Sequence, residues 1–238
     1  ANPNRVFFGG ALNTGQVTGA DNPTTAVWRL VSEWLGRFGL PYVHADAHAA
    51  AYDPAGNLYF GTDGGIFKST NNGTSFSDTL NIGITTHLIY HLGSSTINRD
   101  VVVGGFQDNG TRVRSGSTST FNQYVGGDGF GSDINRANAN LMLGSLYYAR
   151  IQKSTNGGTS FTQSCSGITE CGSSNAPFIT QIPTWSGDAN GNTVYTSSNT
   201  KVYKSTNYAS SWSALGTSGL PTTNFVIRNV NVAHTCSN

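Results

Sequence analysis

The chain has 238 residues, of which 11% are charged, and its formal net charge is +1. A weak net charge without a basic run argues against nucleic-acid binding, because that function needs a clustered positive surface. No apolar stretch approaches the roughly 20 residues of a membrane span, and 37% hydrophobic residues are too many for a disordered chain. The 30 glycines, with abundant Ser, Thr and Asn, therefore predict a single all-β domain over residues 1–238.

Short strands separated by turn signals follow one another along the chain, beginning with a predicted strand at 2–10. Turn dipeptides such as Asn72-Gly73 and Asn109-Gly110 separate the strands into groups of four. The predicted strands after the first are 48–52, 57–61, 65–69 and 76–80; 87–92, 100–105, 111–114 and 121–125; 131–134, 141–144, 147–153 and 161–163; 178–183, 193–197, 201–205 and 212–214. The apolar segment 225–233 is predicted to be a final, innermost strand.

An eight-residue pattern recurs at 69–76, 154–161 and 205–212, and each copy reads Ser-Thr-Asn, four variable residues and an aromatic. Degraded copies at 21–28 and 114–121 bring the number of units to five, with starts 40 to 51 residues apart. Four short strands in each recurring unit predict a β-propeller with five four-stranded antiparallel blades.

We assign four blades to approximately 44–84, 85–126, 127–172 and 173–224. The remaining blade combines 225–238 with 1–43, so that the C-terminal strand pairs with the N-terminal blade and closes the ring. Such pairing would cover both open sheet edges. A five-blade excerpt of a longer propeller is the alternative interpretation.

The repeat resembles the Asp-box, or BNR repeat, whose pattern is Ser-x-Asp-x-Gly-x-x-Trp. This repeat occurs in sialidases, xyloglucan hydrolases, sortilin-type receptors and many secreted bacterial propellers. Asn stands at the Asp position here, and Ala209 replaces the third glycine. The matching positions are Ser69, Asn71, Gly73 and Phe76; Ser154, Asn156, Gly158 and Phe161; Ser205, Asn207 and Trp212. The resemblance implies a structural hairpin turn, and Asn can accept the same backbone hydrogen bonds without a charge.

A second resemblance, to secreted bacterial BNR-repeat proteins, runs through the stretches 42–48, 52–54, 61–65, 104–111 and 126–130. Such proteins are often labelled glycosyl hydrolases from their repeats alone. Because a fold does not determine a function, this resemblance implies the architecture and leaves the activity open.

The three cysteines bear on where the protein resides. Cys165 and Cys171 are six residues apart in a Ser/Gly-rich loop and are predicted to form a disulfide, which leaves Cys236 over. A disulfide, few lysines and abundant Asn, Thr and Ser favour a secreted or cell-surface protein.

His44, Asp46 and His48 alternate along one predicted inner strand, so their side chains are expected to share a face. Two imidazoles and a carboxylate can bind a divalent metal. A hydrogen-bonded polar cluster at the mouth of the central channel is the other interpretation.

Four aspartates are expected at strand ends and near the propeller axis: Asp46, Asp63, Asp108 and Asp128. A converging pair can supply the acid and base of glycoside cleavage. The same carboxylates can instead bind Ca²⁺ or satisfy backbone amides in turns.

The densest polar turn, with Gln107, Asp108 and Asn109, is the first candidate for ligand binding. Trp185 is a further candidate, because an indole ring can stack on the apolar face of a sugar or else pack in the core. The nine arginines show no pattern that assembles the cluster a sialidase needs for its substrate carboxylate, which disfavours sialidase activity.

These observations predict an extracellular propeller that recognises polysaccharide or a surface protein, or that serves as a scaffold. The alternative is a glycoside hydrolase that uses two of the four aspartates. The sequence leaves open whether the protein is an enzyme.

Overall fold

The computed structural model describes residues 5–10, 17–21, 27–84, 86–221 and 225–233. Cys236 and most of the degraded repeat at 21–28 lie outside these ranges. The chain divides into two compact units, Ala1–Thr86 and His87–Asn238. Among the described residues, no helix is both long and apolar enough to cross a membrane.

The described residues of the first unit form two three-stranded antiparallel sheets. One sheet has the order β1 (Arg5–Gly9), β2 (Val17–Asp21) and β3 (Arg29–Ser32), and the other has β4 (Ala47–Tyr52), β5 (Leu58–Thr62) and β6 (Gly65–Ser69). Their alternating apolar residues bury one core, which includes Val17, Val31, Val43, Leu58, Phe60 and Phe67.

A fourth strand predicted at 76–80 is wrong. Ser77 forms one isolated bridge with Lys68, and Thr79–Asn81 is a 3-10 helix. The Ser77 hydroxyl accepts a hydrogen bond from the Thr79 amide at 3.3 Å, and this local bond competes with strand pairing.

The second unit contains three antiparallel sheets in its described part. The first consists of β7 (Ile89–Ser94), β8 (Val102–Phe106), β9 (Gly110–Arg114) and β10 (Asn122–Val125). The second consists of β11 (Asp133–Ile134), β12 (Met142–Ser145), β13 (Ile151–Ser154) and β14 (Thr162–Gln163). The third consists of β15 (Val194–Ser197), β16 (Val202–Ser205) and β17 (Ser213–Ala214).

Side chains from neighbouring sheets of the second unit bury two apolar clusters. Val103 and Val113 of one sheet pack with Ile134 and Met142 of the next. A larger cluster joins the second and third sheets and includes Leu143, Ile151, Val194, Tyr203, Tyr208 and Trp212. Sheet-on-sheet packing of this kind requires every strand to present apolar side chains at alternate positions.

Three strand predictions in the second unit are wrong in whole or in part. The strand predicted at 147–153 begins at Ile151, because Tyr148 and Ala149 adopt left-handed φ angles of 61° and 55°. Residues 178–183 form no strand, and Pro177 and Pro183 at its borders lack an amide donor for a ladder.

The described segment 225–233 also forms no strand. Its Ile227 amide donates to the Asn199 carbonyl at 2.8 Å, and its Val230 amide donates to the Gln181 side chain at 3.0 Å. The side-chain acceptor takes the place of a ladder carbonyl, which explains why no regular pairing develops here. The blade boundaries, the five-blade count and the closure of the ring stay predictions.

Candidate functional site

The three Ser-Thr-Asn boxes are turns held by one hydrogen-bond pattern. In the first box, the Ser69 hydroxyl accepts the Gly73 amide at 2.8 Å and donates to Asn71 Oδ1 at 3.0 Å. Asn71 Oδ1 also accepts the Ser75 amide at 2.9 Å, while Asn71 Nδ2 donates to Ser75 Oγ at 2.8 Å. The boxes beginning at Ser154 and Ser205 repeat all four bonds within 0.2 Å.

The box aromatics pack against side chains of the sheets, with Phe76 and Phe161 half-buried and Trp212 buried. Phe76 makes an edge contact with Phe60, and Phe161 packs against the cluster around Val113. Trp212 is buried, and its Nε1 donates to the Ser164 carbonyl at 2.9 Å. The boxes therefore fix turns and sheet packing.

The third box has different residues at its variable positions, and one of them contacts strand β11. Tyr208 and Ala209 stand where the second box has Gly157 and Gly158, and all four have positive φ. Tyr208 is buried, and its hydroxyl donates to Asp133 Oδ2 at 2.8 Å. This departure from the repeat places a tyrosine beside a strand-end carboxylate.

Asp133 lines a cleft of about 160 Å³ in the second unit. The wall opposite the start of β11 comes from the stretch 184–186, which includes the predicted ligand residue Trp185. The Trp185 side chain is 37% exposed, and its ring rests against Gly187, where an added Cβ would lie 2.5 Å from Cζ2. Arg136 completes the charged groups among the lining residues.

Arg136 is held at its guanidinium, at Cγ and at its backbone carbonyl. Its guanidinium donates through Nη1 to the Ser186 carbonyl. The Arg136 carbonyl accepts the Thr96 hydroxyl at 2.9 Å, and an added Cβ at Gly191 would lie 2.7 Å from Arg136 Cγ. A cation held in this way presents its remaining N–H groups in a set direction.

Asp133 differs electrostatically from an ordinary surface carboxylate. Burial raises the pKa of Asp133 to about 6, against the hydrogen bonds from the Tyr208 hydroxyl and the Ile134 amide, which lower it. Burial and the neighbouring Asp133 together raise the pKa of Tyr208, so its hydroxyl stays a donor. The cleft therefore contains a carboxyl group that changes charge near neutral pH.

A second, more apolar cleft of about 300 Å³ lies in the same unit. Tyr90 and Phe130, whose rings meet edge to face at 4.7 Å, form one side, and Val230 forms part of the other. His91 Nδ1 lies 2.9 Å from the Ser132 carbonyl, which fixes Nδ1 as the protonated nitrogen. The lining of this cleft also includes the polar residues His91, Thr180, Gln181, Asn229 and Asn231.

The predicted binding turn lies between β8 and β9, and its polar groups are engaged within the unit. Gln107 Oε1 accepts the Tyr90 hydroxyl at 3.2 Å, and Asn109 Nδ2 donates to the Gln107 carbonyl at 3.1 Å. The Asp108 amide donates to Asp128 Oδ1 at 2.9 Å. These contacts bring Asp108 and Asp128 together and are those of a turn; a binding role for Gln107, Asp108 and Asn109 stays a prediction.

The predicted His-Asp-His face is interrupted in the first unit. Strand β4 begins at Ala47, and Asp46 has a left-handed φ of 56°, so His44 and Asp46 lie before the strand and only His48 lies in it. The alternation expected for the three side chains is therefore wrong, because a left-handed residue interrupts the extended backbone on which side chains alternate.

The same region does bring two of the predicted aspartates together. One carboxylate oxygen of Asp46 lies within 4.8 Å of one of Asp63, which follows β5. Asp63 Oδ1 lies 2.6 Å from His48 Nε2. The His44 ring packs at Gly64, where an added Cβ would lie 2.1 Å from its Cγ.

Cys165 and Cys171 form a disulfide with a Cα–Cα distance of 6.2 Å in the long connection between β14 and β15. Both cysteines pack against the apolar cluster around Trp212. Sequence reasoning missed Asp133, Arg136 and Tyr208. The signal that could have identified Tyr208 was the third box itself, where Tyr-Ala replaces a Gly-containing pair at left-handed positions.

No protein-family model matches the chain, and no curated protein matches it by sequence. Among solved structures, the chain is similar to a GH74 enzyme from Niastella koreensis, with 16% identity and a TM-score of 0.51 over 90% of this chain and 33% of that one. It is also similar to the GH74 xyloglucanase from Xanthomonas campestris, with 13% identity and a TM-score of 0.45 over 83% and 36%. A third similar structure, YCF48 bound to D1 peptide, has 19% identity and a TM-score of 0.41 over 63% and 46%.

The chain spans less than half the length of each of these three structures. At such low identity, the likeness to the N. koreensis enzyme shows the fold and nothing about activity. The membership in the BNR group stays a prediction. The antiparallel sheets of the described residues and this likeness together confirm the predicted fold class: the chain is an all-β protein of the β-propeller type.

Proposed function

We propose that this protein is an extracellular propeller that recognises carbohydrate through the cleft beside Trp185. The observation that carries the proposal is the half-exposed indole ring held next to the fixed charged groups Asp133 and Arg136. Indole faces stack on the apolar faces of sugar rings, while carboxyl and guanidinium groups bind the hydroxyls. A cleft of about 160 Å³ suits a single sugar ring, since pockets for drug-sized ligands begin near 300 Å³.

Binding without cleavage is favoured by the number of carboxyl groups. Of the described residues that line this cleft, Asp133 alone carries one. Glycosidases use two carboxyl groups about 5 to 9.5 Å apart. A secreted or cell-surface location, supported by the Cys165–Cys171 disulfide, would bring the cleft into contact with polysaccharide.

Calorimetric titration against a panel of neutral and acidic oligosaccharides tests the proposal. We expect at least one oligosaccharide to bind, and we expect W185A to weaken that binding by about tenfold or more, a loss of ~1.4 kcal/mol. W34A is the matched control, because Trp34 is 36% exposed and lies in the other unit. Failure of every oligosaccharide to bind, or equal affinity of W185A and the native protein, would overturn the proposal.

A glycoside hydrolase is the second candidate, and the Asp46–Asp63 pair favours it. Their oxygens lie within 4.8 Å, close to the carboxyl separation of about 5 to 5.5 Å in retaining enzymes. Hydrolysis of plant or bacterial glycans that is lost in both D46N and D63N would establish this activity. D108N and D128N test the other two predicted aspartates in the same assay, and absence of turnover by the native protein would eliminate the candidate.

The side chains around the Asp46–Asp63 pair offer ligands for a divalent metal, either Ca²⁺ or a transition metal. Carboxylate oxygens of Asp46 and Asp63 and the imidazole of His48 lie on adjoining elements of the first unit, and His44 lies near them in sequence. Hard cations prefer such oxygens, and transition metals accept imidazole. Elemental analysis of protein purified without chelator should give about one metal ion per chain, and a metal-free protein that gains no thermal stability with added Ca²⁺ or Zn²⁺ would exclude the site.

A further inference from the structure

We propose that the cleft beside Trp185 selects a sugar unit that bears a carboxylate, such as a uronic acid, and that Arg136 binds this carboxylate. The inference rests on the proposed carbohydrate recognition and names the ligand class. Arg136 differs from the charged side chains of the described residues that form ion pairs.

Arg136 has no acidic partner among the residues that the structure describes. The ion pairs of those residues engage Asp21, Glu33, Asp63, Asp100 and Glu170 with other cations. One guanidinium nitrogen of Arg136 is used by the Ser186 carbonyl, and a guanidinium has five N–H donors. Donors therefore remain for a ligand in the cleft.

The geometry around Arg136 suits a carboxylate better than a hydroxyl. A planar guanidinium matches the two oxygens of a carboxylate in a bidentate pair, and such charge-assisted bonds are about twice as strong as neutral ones. Because the Ser186 carbonyl already holds the guanidinium and Gly191 lies against Cγ, less conformational entropy is lost when a ligand binds. Trp185 beside it supplies the stacking surface for the ring that carries the carboxylate.

Asp133 makes this selection depend on pH. Its carboxyl group is uncharged in acid and then leaves Arg136 as the charged lining residue, whereas ionised Asp133 opposes an anionic ligand. The strands packed against β11 carry Tyr90 and His91 on β7 and no titratable side chain on β8 or β12. Tyr208 contacts the carboxyl directly, and Lys153 lies over the Tyr208 ring at 5.7 Å. Lys153 is the further cation on this side.

The experiment compares two probes that differ in the carboxyl group alone: (1→4)-linked tetragalacturonate and its methyl ester. By calorimetry at about pH 5 we expect the native protein to bind the acid about tenfold more tightly than the ester, the value of one charge-assisted contact. R136Q should bind both equally, R136K should keep part of the preference, and the control R114Q should match the native protein. Arg114 pairs with Asp100 in the same unit and does not line the cleft.

The pH arm uses the same probes. At about pH 7.5 the preference of the native protein for the acid should fall several-fold, and in D133N it should change less between the two pH values. Folding of each variant is checked by its thermal unfolding midpoint, and R136K keeps the test valid if R136Q does not fold. Equal binding of acid and ester by the native protein overturns this inference and leaves the proposed function intact, whereas failure of all oligosaccharides removes both.

Discussion

The second and third boxes, both in the larger unit, are held by the same hydrogen bonds but differ in the side chains at their variable positions. In both, a serine hydroxyl accepts a buried amide four residues later, at 2.9 Å, and an asparagine oxygen accepts a second amide. The second box fills its left-handed positions with Gly157 and Gly158, which adopt positive φ at no steric cost.

The third box places Tyr208 and Ala209 at those positions, although left-handed backbone costs roughly 1–2 kcal/mol for such residues. In return, the Tyr208 hydroxyl binds Asp133, and Trp212 is buried with its indole nitrogen bonded. A repeat that is structural in itself can thus position a site residue at a variable position. Variants of both boxes can show whether the hydrogen bonds are equivalent and whether the side chains account for the difference.

The largest difference is expected for the aromatic at the end of each box. W212A should lower the free energy of unfolding by about 3–5 kcal/mol, because it removes a buried ring and leaves the Ser164 carbonyl without its donor. F161A should cost less, since Phe161 is half-buried. Urea denaturation of both variants measures the gap, and equal losses would mean that the boxes are packed alike.

A smaller effect should separate the boxes by pH. Since the pKa of Asp133 is raised from 3.8 to about 6 in the folded protein, its stabilising contribution is complete below its unfolded pKa and is lost as the pH rises through about 6. The loss amounts to about 2–3 kcal/mol. D133N should abolish this part of the stability–pH curve, measured by denaturation at several pH values.

Y208F tests whether the Tyr208 hydroxyl of the third box influences the titration of Asp133. It removes a hydrogen bond that lowers the pKa of Asp133, so the fall in stability should extend to higher pH. An unchanged midpoint of the Asp133 titration, followed by NMR of the carboxyl carbon, would contradict the role assigned to Tyr208.

The serines should behave alike in the two boxes. S154A and S205A each leave a buried amide without an acceptor, which should cost about 1–2 kcal/mol in each case. If thermal unfolding shows a loss of stability for one variant and none for the other, the two boxes are not held by equivalent hydrogen bonds.

The smallest effect is expected for the asparagines. N156D and N207D should change stability by about 0.5 kcal/mol or less. A carboxylate accepts the same amides of Ser160 and Ser211, and the hydroxyls of these serines can turn to donate to it. N156A, which loses those acceptors, is the control that should be clearly destabilised.

The sequence predicted the features that depend on local patterns. The glycine-rich composition and the turn dipeptides led to the all-β class and to most strand bounds, such as 65–69 for β6 (Gly65–Ser69), and the box spacing led to the propeller. Local patterns failed where a single backbone angle decided the outcome. Asp46 and Tyr148 are left-handed, a conformation that is uncommon for residues other than Gly, and they broke two predicted strands.

The candidate site was predicted in part. Trp185 was named from its residue type, but Asp133 and Arg136 come from the segment that starts at β11, and Tyr208 reaches Asp133 from the third box. Convergence of residues up to 75 positions apart is a tertiary property, so the nine arginines gave no sequence signal for Arg136. The Asp46–Asp63 approach was expected from strand ends, and the chemistry of that pair stays open to the hydrolysis and metal tests.

An amide chemical-shift titration of the isotope-labelled protein with the tightest oligosaccharide of the panel locates the binding site residue by residue. We predict that the largest shifts fall at 133–136 and 184–191, around Asp133, Arg136 and Trp185, and that they disappear in W185A. Shifts confined to Tyr90, Gln181 and Val230 of the other cleft, or no shifts at all, would contradict the account.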